Sequence, residues 1–247
     1  MASKHKNIVD DRWLSEILKR DVYRLVADDD FAKKAGEKTS RENTLLTEIQ
    51  SGHVFIYARV SPDAVTAIKF LEQRGFNLID TNVTFVKSVM PARNLTGKGT
   101  VRFTVPEDRD QVVALARNSF IYSRFHLDSA FSREEADTLR AEWVKNYYVG
   151  KRGDAMVVAE AEGVIAGFLL LIHGKDDSLI IDLIAVDEKH RRKGIARDMI
   201  TYAESQSRGF RRISVGTQLA NLPSIKLYEG MGFKLAVAQY TFHYHHG

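Results

Sequence analysis

The chain has 247 residues, enough for one large or two modest domains with ample cores. Its 44% apolar and 28% charged residues are those of an ordinary globular protein, and a net charge of +4 spread over both halves excludes the basic footprint that nucleic-acid binding requires. The absence of cysteine excludes disulfides and thiolate chemistry, which suits a cytoplasmic protein.

In chain order, the start Met1-Ala-Ser-Lys-His-Lys6 leads into Asp10-Asp11-Arg12 without an apolar stretch, so no signal peptide is expected. Ala67-Ile-Lys-Phe-Leu71-Glu-Gln-Arg-Gly75-Phe76 reads as a short helix ended by glycine, then a strand. Pro91 to Gly99 carries Pro, Asn and two Gly, interrupts both periodicities, and sets a domain boundary between 1–98 and 99–247. Val101 to Val105 alternates as a strand, Pro106-Glu-Asp opens a helix through about Asn118, and a second helix runs from Ser132 to Asn146. Glu162-Gly163 is a hairpin signal between strands at Ala155–Glu160 and Val164–Ile172. The apolar run Gly163 to Ile172 is half of the ~20 residues a membrane helix needs, so it reads as a buried strand and no membrane partner is expected. Leu179 to Val186 is the next strand, followed by a helix with the apolar stripe Ile195, Met199, Ile200 and Ala203. A strand at Arg212–Thr217, a helix at Leu222–Glu229 and a closing strand at Phe233–Tyr244 complete an α/β pattern that suits a mixed sheet covered on both faces.

Two segments carry chemistry. In the first, Asp182-Leu-Ile-Ala-Val186 is a buried strand, Lys189 to Lys193 a basic turn, and Gly194-Ile-Ala196 a helix start whose small residues let backbone N–H groups approach a phosphate. In the second, Asn221, Ser224 and Tyr228 fall at i, i+3 and i+7 on one helix face. A pyrophosphate cradle beside a lone phenol is a place to hold a coenzyme A thioester and protonate its leaving sulfur, a thiolate with an ordinary pKa near ~8.5. Asp182 is a candidate base or a structural strand residue, and an amine of modest pKa loses its proton to solvent without either.

Both segments resemble the Gcn5-related N-acetyltransferase (GNAT) superfamily. Arg191, Gly194 and Ala196 match its phosphate loop, and Asn221, Ser224, Tyr228, Gly232 and Phe233 match its second motif. The resemblance implies a GNAT fold over 99–247, with acetyl-CoA or another short acyl-CoA as cosubstrate and no metal. It places the coenzyme against Leu183, Ile184, Ala185 and Val186, against Arg191, Arg192, Lys193, Gly194, Ile195 and Ala196, and against Asn221, Ser224 and Tyr228, with Tyr228 as general acid.

Residues 1–98 echo that pattern. Leu71, Gly75 and Phe76 align with Tyr228, Gly232 and Phe233, but no phosphate loop precedes them. They read as a smaller, truncated, non-catalytic GNAT-like α/β domain, or as a common helix–Gly–Phe–strand unit.

Beyond the two motifs the chain is similar to the TDP-fucosamine acetyltransferase group, through Ser123-Arg124-Phe125, Thr217-Gln218, Arg208-Gly-Phe210 and the length of the N-terminal domain. That implies a nucleotide-linked amino sugar as acceptor, a small-molecule partner. Arg124 would take a diphosphate, Phe125 or Tyr122 would stack on a base or sugar, and Ser123 and Gln218 would lie nearby; alternatively the 123–125 loop packs over the sheet. His126 to Phe131 departs from the group. A peptide N-acetyltransferase and a coenzyme A sensor without turnover are the competing functions. His243 and His245 share a strand face with nothing nearby in sequence to complete a metal site, so they read as an edge-strand feature. The alternating C-terminal strand permits a homodimer.

Overall fold

The computed structural model describes residues 6–89, 100–206 and 209–247. The boundary at Pro91–Gly99, the start Met1–His5 and Arg208 lie outside them. The first half contains β1 (Ile8–Asp10), α1 (Arg12–Leu18), β2 (Asp21–Leu25), α2 (Asp29–Gly36), α3 (Arg41–Gln50), β3 (Val54–Val60), α4 (Val65–Gln73) and β4 (Asn77–Ser88). The second half contains β5 (Thr100–Phe103), α5 (Arg109–Ser119), α6 (Arg133–Tyr148), β6 (Ala155–Ala161), β7 (Val164–His173), β8 (Ser178–Val186), α7 (Ile195–Gln206), β9 (Arg212–Gln218), α8 (Leu222–Gly230) and β10 (Lys234–His246).

Local chemistry explains the boundaries. Ser132 and Glu135 close a capping box at the start of α6, satisfying two backbone N–H groups that the first helical turn leaves free. Glu162 and Gly163 both take positive φ, 55° and 78°, as a two-residue hairpin turn between β6 and β7 demands. No helix among the described residues is long and apolar enough to cross a membrane.

The ten strands among the described residues join one mixed sheet in the order β1-β2-β3-β10-β4-β9-β8-β7-β6-β5. The middle of this order shows that the two halves exchange strands. β10, from the second half, lies between β3 and β4 of the first, and β4 lies between β10 and β9. The arrangement repeats about the β10–β4 seam: β2 and β3 are parallel, as are β8 and β9, with α4 and α8 leading into the exchanged strands.

The two helix ends are built alike. Phe76 N–H donates to the Leu71 carbonyl at 3.0 Å, and Phe233 N–H donates to the Tyr228 carbonyl at 3.0 Å. The intervening glycines, Gly75 and Gly232, take φ 78° and 87°, the left-handed conformation a helix C-terminus favours.

Two layers cover the sheet. On one face α2, α3 and α4 pack over the first half, around Phe31, Leu46, Ile56 and Leu71. On the same side α7 and α8 pack over the second half, around Ile181, Met199, Val215 and Tyr228. The opposite face is covered at its ends only. Val112, Leu115 and Val144 of α5 and α6 cover β6 to β8, while Leu14 of α1, Phe125 and Phe131 cover β2 and β3. Between these covers the floor is polar: Arg59 and Tyr57 of β3, Thr241 of β10, Asp80 and Asn82 of β4, and Gln218 of β9. Strand alternation puts these on one face, because Thr241 pairs with Arg59 and Asp80, and Asn82 pairs with Gln218.

β10 is therefore a central strand. The edge placement expected for His243 and His245 is corrected: the strand last in sequence is inserted into the first half rather than added at its side.

Candidate acyl-donor and acceptor site

The site begins where two parallel strands separate. β8 and β9 pair from Ser178↔Arg212 to Ile181↔Val215, and the pairing stops there although the strands run on to Val186 and Gln218. At the same point the β7–β8 register jumps from Leu171↔Ile181 to Leu170↔Leu183, so Asp182 is the extra residue of a bulge. A bulge bends its strand and re-aims the residues beyond it. Here it turns Asp182–Val186 away from Gly216–Gln218 and leaves a gap between strand edges, which still carry backbone donors and acceptors.

The basic turn closes the far end of this gap. Arg192 and Gly194 take positive φ, 62° and 86°, and α7 then starts at Ile195. The first-turn N–H groups of α7 have no helical acceptor and carry the positive end of the helix dipole. α7 can sit this low because β7 has Gly167 beneath it: a β-carbon there would come within 3.1 Å of Ile195 Cγ2 and of the Ala185 carbonyl oxygen. Arg191 braces the turn, Nε donating to the Val186 carbonyl at 3.1 Å and Nη2 to the Ser119 carbonyl at 3.3 Å. Arg192, Lys193 and Gly194 are exposed, whereas Ile195 is buried. Strand edges, free N–H groups and a cationic turn are a donor set that fits a pantetheine arm and its pyrophosphate.

α8 enters behind the gap. Asn221 caps it, with Oδ1 accepting from Ser224 N–H at 3.4 Å and Nδ2 donating to Thr217 Oγ1 at 3.2 Å. Tyr228 is 2% exposed, packed against Phe85 and Phe233 with ring centroids 6.0 and 5.7 Å away. Burial holds its phenol well above the ordinary tyrosine value, and a hydrogen bond with Ser224 opposes this only in part. The phenol thus keeps its proton at every working pH and is a donor.

Asp182 is differently occupied. Its carboxylate accepts from Arg152 Nε at 2.7 Å, Arg152 Nη2 at 2.6 Å and Trp143 Nε1 at 2.9 Å. A bidentate pair with an indole donor uses the lone pairs that a base would need free. Trp143 in turn meets Trp13 of the first half edge-on at 5.2 Å.

The residues expected to bind acceptor divide. Arg124 is buried, its guanidinium 3.9 Å over the Tyr57 ring, with Nη1 3.4 Å from His243 Nε2. Gln218 hydrogen-bonds Asp80 on the polar floor, and Tyr122 is half-buried. The stacking role expected of Phe125 is corrected, since it is 1% exposed and wedged among Phe55, Phe131 and Leu14, so it packs the loop onto the sheet. Ser123 bonds His126 Nδ1, whose other ring nitrogen reaches Asp137 at 2.9 Å, and so shapes the same loop. Sequence reasoning missed Tyr57, Arg59, Asp80, Arg140 and Arg152. They lie in four separate segments, so no local spacing in the sequence links them.

It also missed the third member of the histidine pair. Asp128 Oδ2 lies 2.6 Å from His243 Nδ1 and 2.8 Å from His245 Nε2. These three are the group among the described residues with metal-ligand chemistry. Their facing atoms hydrogen-bond one another inside a cage of Phe55, Phe125 and Phe131.

Comparison with known proteins agrees with this geometry. The family model for the acetyltransferase (GNAT) family matches residues 110–233. The chain is 29% identical over 246 residues to the spore coat polysaccharide biosynthesis protein SpsD of Bacillus subtilis (strain 168), covering 96% of this chain and 81% of that one. A GCN5-related N-acetyltransferase from Sphaerobacter thermophilus superposes with a TM-score of 0.57 at 14% identity, over 83% of this chain and 64% of that one. A tandem GNAT protein from the clavulanic acid biosynthesis pathway gives 0.53 at 14% identity, over 78% of this chain and 64% of that one. The chain thus spans about two thirds of both solved relatives. With the bulged strand, the parted sheet and the capped α8 in place, the chain belongs to the acetyltransferase (GNAT) family, whose acyl donor is acetyl-CoA, and is an N-acyltransferase.

Proposed function

We propose that the chain transfers an acyl group from acetyl-CoA, or another short acyl-CoA, to the amino group of an amino-dideoxy sugar carried on thymidine diphosphate. The parting of β8 and β9 at Asp182 carries this reading, because the gap opens onto the polar, arginine-lined floor of the sheet. Bound coenzyme would supply the activated acyl group. The chain's share is to hold it with backbone groups of Leu183–Val186, the turn Arg191–Ala196 and the capped start of α8 at Asn221 and Ser224. An N–H on the bulged strand would steady the developing oxyanion, a contribution commonly worth ~3–4 kcal/mol. Tyr228 donates to the departing sulfur, and its burial keeps that proton in place until charge develops nearby. Asp182, committed to Arg152 and Trp143, orients those two side chains, and the ammonium proton leaves through the polar floor to solvent.

The likeness to a spore coat polysaccharide biosynthesis protein supports a sugar acceptor. An acceptor lysine peptide would call for an acidic groove, whereas this one is lined by arginines. A sensor without turnover would have no need of Tyr228. Residues 1–98 serve as a non-catalytic half: β2 is paired with β3 along its whole length, without the bulge that parts β8 from β9, and Leu71 stands where the second half has Tyr228. The absence of cysteine favours action in the cytoplasm.

Thiol release from acetyl-CoA, measured with TDP- and UDP-linked amino sugars and with lysine peptides, tests the proposal. Release with the TDP-linked sugars is expected; release with peptides alone, or with none of the acceptors, would remove it.

A further inference from the structure

Three arginines converge on the polar floor without a carboxylate to answer them. Arg59 rises from β3, Arg124 reaches over Tyr57 of the same strand, and Arg140 comes from α6. Among the described residues none of the three has a carboxylate oxygen within ion-pair distance, whereas nearby Arg152 has Asp182. Asp80 acts on Arg59, Asp11 on Arg124 and Asp182 on Arg140 only from a longer range. Arg124 is buried and Arg140 half-buried, and charge taken out of water is ordinarily paired, because an unpaired ion forfeits hydration without return.

These guanidiniums also act on one another. Burial pushes Arg124 down to about 10, and the charge of Arg59 adds to the effect. Burial pushes Arg140 down to about 10, with Arg124, Arg152 and Arg59 adding to it. Arg59 is exposed in the groove, yet the protein around it lowers its value too. Two polar atoms in the same region have no partner: Arg140 Nε, and Oγ1 of Thr241, which pairs across the sheet with Arg59 and Asp80. Repelling cations and orphaned donors on one polar floor describe a site that is complete only when an anion is bound.

We propose that Arg59, Arg124 and Arg140, drawn from both halves of the chain, form one subsite that grips the diphosphate of the acceptor. The inference rests on the sugar-nucleotide reading above and extends it. Three guanidiniums, two of them over aromatic rings and none in an ion pair, call for more than the single charge of a carboxylate, and a diphosphate offers two or more with several acceptor oxygens. The subsite also gives the first half a purpose, since Arg59 and the Tyr57 platform under Arg124 both belong to it.

The test is calorimetry on the full chain saturated with coenzyme A, titrated with TDP, inorganic pyrophosphate or thymidine. TDP and pyrophosphate are expected to bind and thymidine to bind far more weakly. Arg59→Ala and Arg140→Ala are each expected to weaken TDP at least tenfold while leaving acetyl-CoA affinity within about twofold. Because each removes a repelling cation, Tm without ligand should hold or rise, where loss of a structural arginine would lower it. Unchanged TDP affinity in both variants, no binding of TDP or pyrophosphate to the native chain, or a fall in Tm without ligand would overturn the subsite. If TDP binds as described yet no amino sugar is acylated, the acceptor reading fails while the subsite stands.

Discussion

Arg152 and Asp182 meet in a two-pronged ion pair at the bulge of β8, Nε to Oδ2 at 2.7 Å and Nη2 to Oδ1 at 2.6 Å. Asp182→Asn should therefore act on structure before it acts on proton transfer. A charge-assisted hydrogen bond contributes about 1.5–3 kcal/mol, so a lower Tm is expected together with a fall in kcat of less than about tenfold. The pH–rate profile should keep its acid limb. Loss of that limb in Asp182→Asn would restore the carboxylate as the base.

Tyr228→Phe removes a hydroxyl and keeps the ring that packs on Phe85 and Phe233. We expect kcat to fall about 10²–10⁴-fold, the usual span for a positioned acid, with KM for acetyl-CoA nearly unchanged. The change in stability should be about 1 kcal/mol, the worth of the bond to Ser224. An unaltered kcat would take Tyr228 out of the chemistry.

Gly167→Ala tests how α7 is seated. The added methyl would crowd Ile195 and Met199 and approach the Ala185 carbonyl, so the helix must lift from β7. Overpacking of this kind costs about 1–3 kcal/mol. Because the first turn of α7 faces the gap, KM for acetyl-CoA should rise several-fold while acceptor affinity holds.

Acid should weaken the fold through the buried pair of His243 on β10 and Asp128. Burial pushes His243 down to about 4, below its ordinary value, despite the opposing pull of Asp128. Burial alone would raise Asp128, but the hydrogen bonds from His243 and His245 outweigh it and hold the carboxyl well below the usual range. The unfolded chain therefore takes up the histidine proton first. Stability is full above about pH 6.5 and is lost as pH falls toward 4, by roughly 3 kcal/mol, with Asp128 adding its loss below that. Denaturant titrations across this range should show the slope, and His243→Gln should start lower and show a flatter one. An identical slope in the variant would assign the acid sensitivity elsewhere.

The proposed donor side of the site was legible in sequence as a candidate because it is local. Asp182 to Ala196 and Asn221 to Phe233 each place their functional atoms within one strand, turn or helix, where spacing alone fixes which residues share a face. The proposed acceptor side was not, because Tyr57, Arg59, Asp80, Arg140 and Arg152 come from two strands, a helix and a loop far apart in the chain. Ser123-Arg124-Phe125 shows the limit within three residues: Arg124 faces the floor, while both neighbours are spent on packing the loop. The echo between the halves was visible as Leu71-Gly75-Phe76 against Tyr228-Gly232-Phe233, and the two helix ends have matching hydrogen bonds. That the strands after them trade places leaves no trace in periodicity, because a strand alternates in the same way whichever neighbour it pairs with.

That exchange has a consequence for how the molecule comes together. Each portion lacks the ladder partner that the other holds, so neither can finish its sheet by itself, and what joins them is hydrogen bonding along two full strands as well as the apolar packing of Phe125 and Phe131 on Leu14 and Phe55. Severed polypeptides corresponding to the two portions should thus remain unfinished apart and regain one cooperative particle when mixed, in the manner of complementing fragments.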